Sequence, residues 1–150
     1  MGVTVRWLGD RVLQDLDRTL DQALQRAASL LLTQARLACN RPAKRIRRKR
    51  RRTTSAGPKG SQYTVFIGSA PGQAPAVRTS FGRRNILMEY YPETKTARVG
   101  PATNAAYMAY LELGTDRIEP RPWLQPTLDR CRGAVENILR SALQRHGQSE

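Results

Sequence analysis

Residues 107–128 read YMAYLELGTDRIEPRPWLQPTL, and this stretch decides how the chain folds. Tyr107, Tyr110 and Leu111 suit a half-buried sheet and predict a strand over Tyr107–Leu113. Gly114 tolerates a positive φ, so Gly114-Thr115 predicts the turn that ends it. Pro120 and Pro122 bracket Arg121 and stiffen the path that follows. Trp123 and Leu124 supply a large apolar anchor. Pro126 fits the first turn of a helix, where its missing N–H would have had no partner. The stretch therefore hands a sheet over to a C-terminal helix, and it contains nothing chemically reactive.

Working outward, residues 124–144 continue as that helix, with Leu124, Leu128, Cys131, Val135, Ile138, Leu139 and Leu143 on one side. Gly133 weakens it by about 1 kcal/mol relative to alanine. Upstream, alternation predicts strands over 61–68, 85–91 and 96–99, the last two joined by the turn Pro92-Glu93-Thr94-Lys95. Phe81–Arg84 suits a single turn of helix. From Asp10 to about Ala38, apolar residues recur at gaps of three and four, which predicts an amphipathic helix of about 42 Å. Its acids Asp10, Asp15, Asp17 and Asp21 come early, and Arg26 and Arg36 come late, as the helix dipole favours. Residues 1–9 read as an extended lead-in in which Trp7 is a candidate interface anchor.

Between the first helix and the sheet lies RPAKRIRRKRRRTTSAGPKG, residues 41–60. Nine of the chain's 26 basic residues fall within 41–52. Like charges at this density repel, so the stretch predicts a mobile loop or arm. The fold class expected is α+β: a long N-terminal helix, a three- to four-stranded, mostly antiparallel sheet and a long C-terminal helix. Residues 1–40 and 61–150 form one domain, with 41–60 as the basic loop.

The whole chain of 150 residues is 39% apolar, below the roughly 45–50% usual for a compact globule. Part of it is expected to complete its burial against a partner. The net charge of +14 and pI near 11.1 favour an anionic partner. Two cysteines, Cys39 and Cys131, make no metal or disulfide framework and suit a reducing cytoplasm. No apolar run reaches the roughly 20 residues of a membrane span, and no signal-peptide core opens the chain.

Catalysis finds little support. The single histidine, His146, sits four residues from the end. Both cysteines read as small core residues. Glu89, Glu93, Glu112, Asp116 and Glu119 are scattered, and Glu89 and Glu112 read better as salt-bridge or solvated groups than as a catalytic pair. No enzyme activity and no cofactor are expected. The basic run has neither interleaved aromatics for stacking on bases nor an Asn/Gln pattern for reading base edges. It suits phosphate neutralisation without sequence readout, by Arg41, Lys44, Arg45, Arg47, Arg48, Lys49, Arg50, Arg51 and Arg52 acting as a group.

The words Tyr-Leu-Glu-Leu-Gly-Thr (110–115) and Arg-Pro-Trp-Leu-Gln-Pro-Thr-Leu (121–128), with Pro-Gly-Gln-Ala-Pro-Ala-Val-Arg-Thr (71–79) upstream, resemble the neck, or tail-completion, proteins of long-tailed phages and prophages. The resemblance covers roughly residues 60–145, and the arginine run departs from it. It implies a structural virion protein, made in the host cytoplasm, that forms a six- or twelve-fold homo-oligomeric ring joining the head connector to the tail. The implied partners are a head-completion (stopper) or connector protein, a tail terminator or tail tube protein, and double-stranded DNA in the lumen. Tyr107, Tyr110, Glu112, Gly114, Thr115, Arg121, Pro122, Trp123, Leu124 and Pro126 become structural or interface residues under it. Pro71, Gly72, Pro75, Arg78 and Thr79 become a docking loop. The competing reading is a small, basic, non-sequence-specific nucleic-acid-binding protein, which accounts for the charge but not for residues 107–128.

Overall fold

The computed structural model describes residues 9–49 and 62–147. Helix α1 spans Gly9–Ala38, followed by strands β1 (Lys44–Lys49) and β2 (Gln62–Ile67). A single turn of helix, α2 (Phe81–Arg84), leads to strands β3 (Ile86–Tyr91) and β4 (Thr96–Pro101). A 3-10 turn at Thr103–Ala105 precedes helix α3 (Tyr107–Leu113), and helix α4 (Gln125–Gly147) closes the order. The class is α+β, as the periodicities require. The four strands, however, form two separate antiparallel hairpins, β1–β2 and β3–β4, in place of one sheet.

Two local expectations are corrected. Residues 107–113 are helical, not extended. Met108, Ala109, Leu111, Glu112 and Leu113 are good helix formers, and none of the seven residues is β-branched. Burial follows the helical period: Met108 is buried, Leu111 and Glu112 are half-buried, and Tyr107, Tyr110 and Leu113 face outward. The strand reading rested on Tyr107, Tyr110 and Leu111; the two tyrosines, as outer residues, say little about the backbone.

The basic run is also ordered in part: Lys44–Lys49 is a strand. Its neighbour across the ladder is β2, not another cationic segment, with Ile46 opposite Val65 and Arg45 opposite Phe66. Successive side chains alternate faces, which separates adjacent cations, and the ladder satisfies the backbone. Arg50, Arg51 and Arg52 lie outside the described residues, as do residues 1–8 of the lead-in, Trp7 among them, while Gly9 already belongs to α1.

The core gathers Ala35 and Cys39 from the end of α1, Ile86 from β3, Ala105, Met108 from α3, and Trp123. Helix α1 lies along α4 and also packs on β3 and β4. The fully buried positions of α1 are small: Ala23, Ala27, Ala28 and Ala35. On α4, Thr127, Cys131 and Ala142 are buried. The α4 stripe read in the sequence holds at Leu124, Cys131, Val135, Ile138 and Leu139, which are buried or half-buried, whereas Leu128 and Leu143 are exposed and Thr127 and Ala142 are buried beside the stripe. Small residues let two helix axes approach closely, and this displaces Leu128 and Leu143 to the flanks.

The β3–β4 hairpin is clamped to α1 at its turn. Lys95 Nζ lies 2.6 Å from Asp21 Oδ1 and 2.9 Å from Asp17 Oδ2. The Tyr90 hydroxyl donates to the same Asp21 oxygen at 2.5 Å. Lys95 itself has φ 49°, so the turn is bent to deliver its ammonium group. Lys95, with Tyr90 second, holds the Asp21 carboxyl below its ordinary 3.8, and the carboxylates hold the Lys95 ammonium above its ordinary 10.5. A depressed carboxyl contributes stability above its ordinary pKa and loses it as pH falls through the lowered one. Asp21→Asn is therefore expected to lower the melting temperature at neutral pH. The gap from the unsubstituted protein should close as the buffer is taken below pH 3.8, as followed by melting curves across pH.

Candidate functional site

The two sequence words that carry the resemblance are joined by one carboxylate. Glu112, on the inner side of α3, accepts hydrogen bonds from the backbone N–H groups of Trp123 (2.6 Å), Leu124 (2.9 Å) and Gln125 (2.8 Å). Those amides lead into α4 at Gln125, where the first-turn N–H groups have no intrahelical partners and the helix dipole favours negative charge. A side chain eleven to thirteen residues upstream thus caps the helix.

Further bonds tie the same joint. Arg121 N–H donates to Leu111 O at 2.6 Å, and Trp123 Nε1–H donates to Met108 O at 3.1 Å. Thr127 Oγ1 donates to Trp123 O at 2.6 Å inside the protein, where Thr127 is wholly buried. Thr115 closes the intervening turn, exchanging backbone bonds with Ile118 and accepting from the Arg117 and Ile118 amides through Oγ1. Gly114 makes this path possible: it has φ 78° and ψ 175°. A Cβ there would sit 3.0 Å from Pro120 Cδ and 3.1 Å from Ile118 O. Pro122 is half-buried, Leu124 packs against the core, and Pro126 is exposed in the first turn of α4.

The Pro71–Thr79 loop is bound into this joint and is more than a surface loop. Gly72 N–H donates to Pro120 O (2.9 Å), and Arg121 Nε donates to Ser69 O (3.1 Å). Pro75 is buried and Ala74 packs on the core. At its other end, Val77 exchanges backbone bonds with Arg41 and Ala43, at the base of β1. Arg41 also donates to the Gln73 side chain. A pocket of about 180 Å³ opens beside the loop, lined by Pro75, Val77, Thr79, Tyr107, Met108 and Leu111 among others.

The loop also brings Arg78 to the hairpin. Its guanidinium lies over the Phe66 ring, 4.7 Å from the centroid, and Arg45 lies over the same ring at 5.7 Å. The register sorts the hairpin into two faces. Arg45, Arg47 and Lys49 share one with Phe66 and Thr64. Lys44, Ile46 and Arg48 share the other with Val65, Ile67 and Tyr63. All five cations of β1 are exposed, and among the described residues none of them forms an ion pair. The sequence alone could not associate Phe66 or Arg78 with the basic run, because cross-strand pairing and the loop's return create the contact.

Burial, with the Glu112 charge second, pushes the Cys39 thiol up to about 12, which keeps it protonated at neutral pH. Among the described residues no three His, Cys, Asp or Glu side chains converge as a metal ion requires. Glu89 does not approach Glu112: it sits on β3 opposite Arg98 and accepts from the Tyr91 hydroxyl at 2.7 Å. Among the described residues no helix is long and apolar enough to cross a membrane. Comparison of the chain with protein-family models, curated proteins and solved structures finds no match.

Proposed function

We propose that the chain is a structural subunit of a phage head-to-tail neck, acting by association and without chemistry. In this reading copies close a ring by repeated heterologous contacts between the head connector or stopper and the tail terminator or tube, around double-stranded DNA. The observation that carries it is the joint between α3 and α4. The residues that give the resemblance are those that lock this joint, and its outer side presents large unburied side chains. Tyr107, Tyr110 and Leu113 are 45%, 58% and 80% exposed on one side of α3, with Ile118 beside them in sequence at 39%. A rigid helix with an apolar outer stripe suits a subunit contact, since patches of this kind mark interaction surfaces. The uncovered Val12 and Leu13, at the start of α1, add to the unfinished surface.

Light scattering of the purified chain at low and high salt tests this directly. A ring-sized mass that persists in high salt is expected, and Tyr110→Ser with Leu113→Ser should reduce it towards the monomer without changing the circular dichroism. A monomer that stays monomeric when the phage connector is added would end the neck reading. The competing reading, a small nucleic-acid-binding protein, draws on the unpaired cations of the hairpin. It offers no use for the outer stripe of α3.

A further inference from the structure

We infer that one face of the β1–β2 hairpin, made by Arg45, Arg47, Lys49 and the loop residue Arg78 around Phe66, is a binding surface for the phosphate backbone of double-stranded DNA. The inference rests on the neck reading only for the choice of duplex DNA as the occupant; the charge and geometry of the face stand on their own.

Four observations carry it. The cations of β1 have no anionic partner among the described residues, and β2 contributes no acid to either face. An array of unpaired like charges costs stability through self-repulsion, so its compensation is sought outside the chain. Arg45, Arg47 and Lys49 stand at alternate positions of one strand, roughly 7 Å apart. That spacing is about twice the roughly 3.4 Å axial rise per nucleotide of one DNA strand, so a single strand of the duplex offers a phosphate within reach of each. A fourth cation arrives from a distant segment: Arg78 lies over the Phe66 ring that Arg45 also covers. Finally, Phe66 is half-buried and covered by guanidinium groups. It positions the arginines and is not open for stacking on an unpaired base, which is what a single-strand binder needs. The face therefore suits a backbone whose bases are already paired. The opposite face, where Ile46, Val65 and Ile67 separate Lys44 from Arg48, has its charge interrupted by apolar surface.

The test is fluorescence anisotropy of a labelled random-sequence duplex with the full chain, across salt, with light scattering on the same samples. Arg45→Gln, Arg47→Gln and Lys49→Gln together are expected to reduce the slope of log affinity against log salt by about three. Arg78→Gln, which changes no residue of either strand, is expected to reduce it by about one. Phe66→Leu keeps the apolar bulk and is expected to weaken binding roughly 2–5-fold by releasing the two guanidiniums. Lys44→Gln with Arg48→Gln should lower the slope by less per charge than the first variant. Equal loss per charge from both faces would overturn the face assignment. An unchanged slope with Arg78→Gln would remove that residue from the site. Tighter binding of a single-stranded oligonucleotide than of the duplex, or equal binding of polyglutamate, would overturn duplex DNA as the occupant. A ring that ignores DNA would refute this inference and leave the neck reading standing. DNA binding by a permanent monomer would do the reverse.

Discussion

Trp123→Ala is expected to lower the unfolding free energy by about 3–5 kcal/mol, the range found when a buried aromatic is cut to alanine. Trp123 is 1% exposed and, among the described residues, is the largest fully buried side chain. Its removal leaves a cavity bounded by α1 through Ala35 and Cys39, by β3 through Ile86, and by α3 through Met108. Three of these neighbours are small or β-branched and offer little side-chain freedom to collapse into the space. The Met108 carbonyl also loses its indole donor. Domains of this size have only 5–15 kcal/mol to lose. The melting temperature should therefore fall by on the order of 10 °C. Trp123→Phe keeps most of the burial and loses chiefly the hydrogen bond, so it should cost about 1–2 kcal/mol. Equilibrium denaturation of both variants checks the ordering. A Phe variant as unstable as the Ala variant would mean that the indole hydrogen bond, not the volume, dominates.

Glu112→Ala is expected to cost about 2–4 kcal/mol, less than a sum over three hydrogen bonds because the freed amides at the start of α4 can in part be hydrated. Glu112→Gln keeps a side-chain oxygen but loses the charge and one acceptor, so it should fall between, at about 1–2 kcal/mol. The distinguishing readout is local. Amide hydrogen exchange should speed up first at Trp123, Leu124 and Gln125, the three donors to the carboxylate. Uniform acceleration across the chain would show that Glu112 acts on global stability and not as the cap of α4. Because the same carboxylate fixes α3, whose outer side carries Tyr107, Tyr110 and Leu113, the Gln variant should also weaken subunit association before it unfolds the chain.

The amino-acid sequence by itself determined the two long helices, the positions of three of the four strands, the single helical turn at Phe81–Arg84 and the α+β class. Each is a statement about local periodicity and turn chemistry, which neighbours along the chain settle. The sequence also marked residues 110–115 and 121–128 as words that belong together, and it placed Trp123 in the core. What joins those words was not legible. A Glu in a short apolar segment looks like any exposed acid until the tertiary fold brings the unpaired amides of a helix start to it. The reading of Tyr107–Leu113 as a strand failed for a related reason. Over seven residues, propensity is a weak signal, and the decision rests on which side chains the core accepts: Met108 and Leu111 at helical spacing.

Tertiary structure alone decided the fate of the basic run. Read as a row of like charges, 41–52 predicts no ordered structure; paired with Gln62–Ile67, its first half becomes a strand whose neighbours across the ladder are uncharged. The division of its charge into two faces, and the addition of Phe66 and Arg78 to one of them, follow from register and from the return of the 71–79 loop. Neither is a property of any stretch of sequence. Strand pairing over long separations depends on contacts that close only when the whole chain has folded, and that is why the candidate binding face was invisible while the helices were plain.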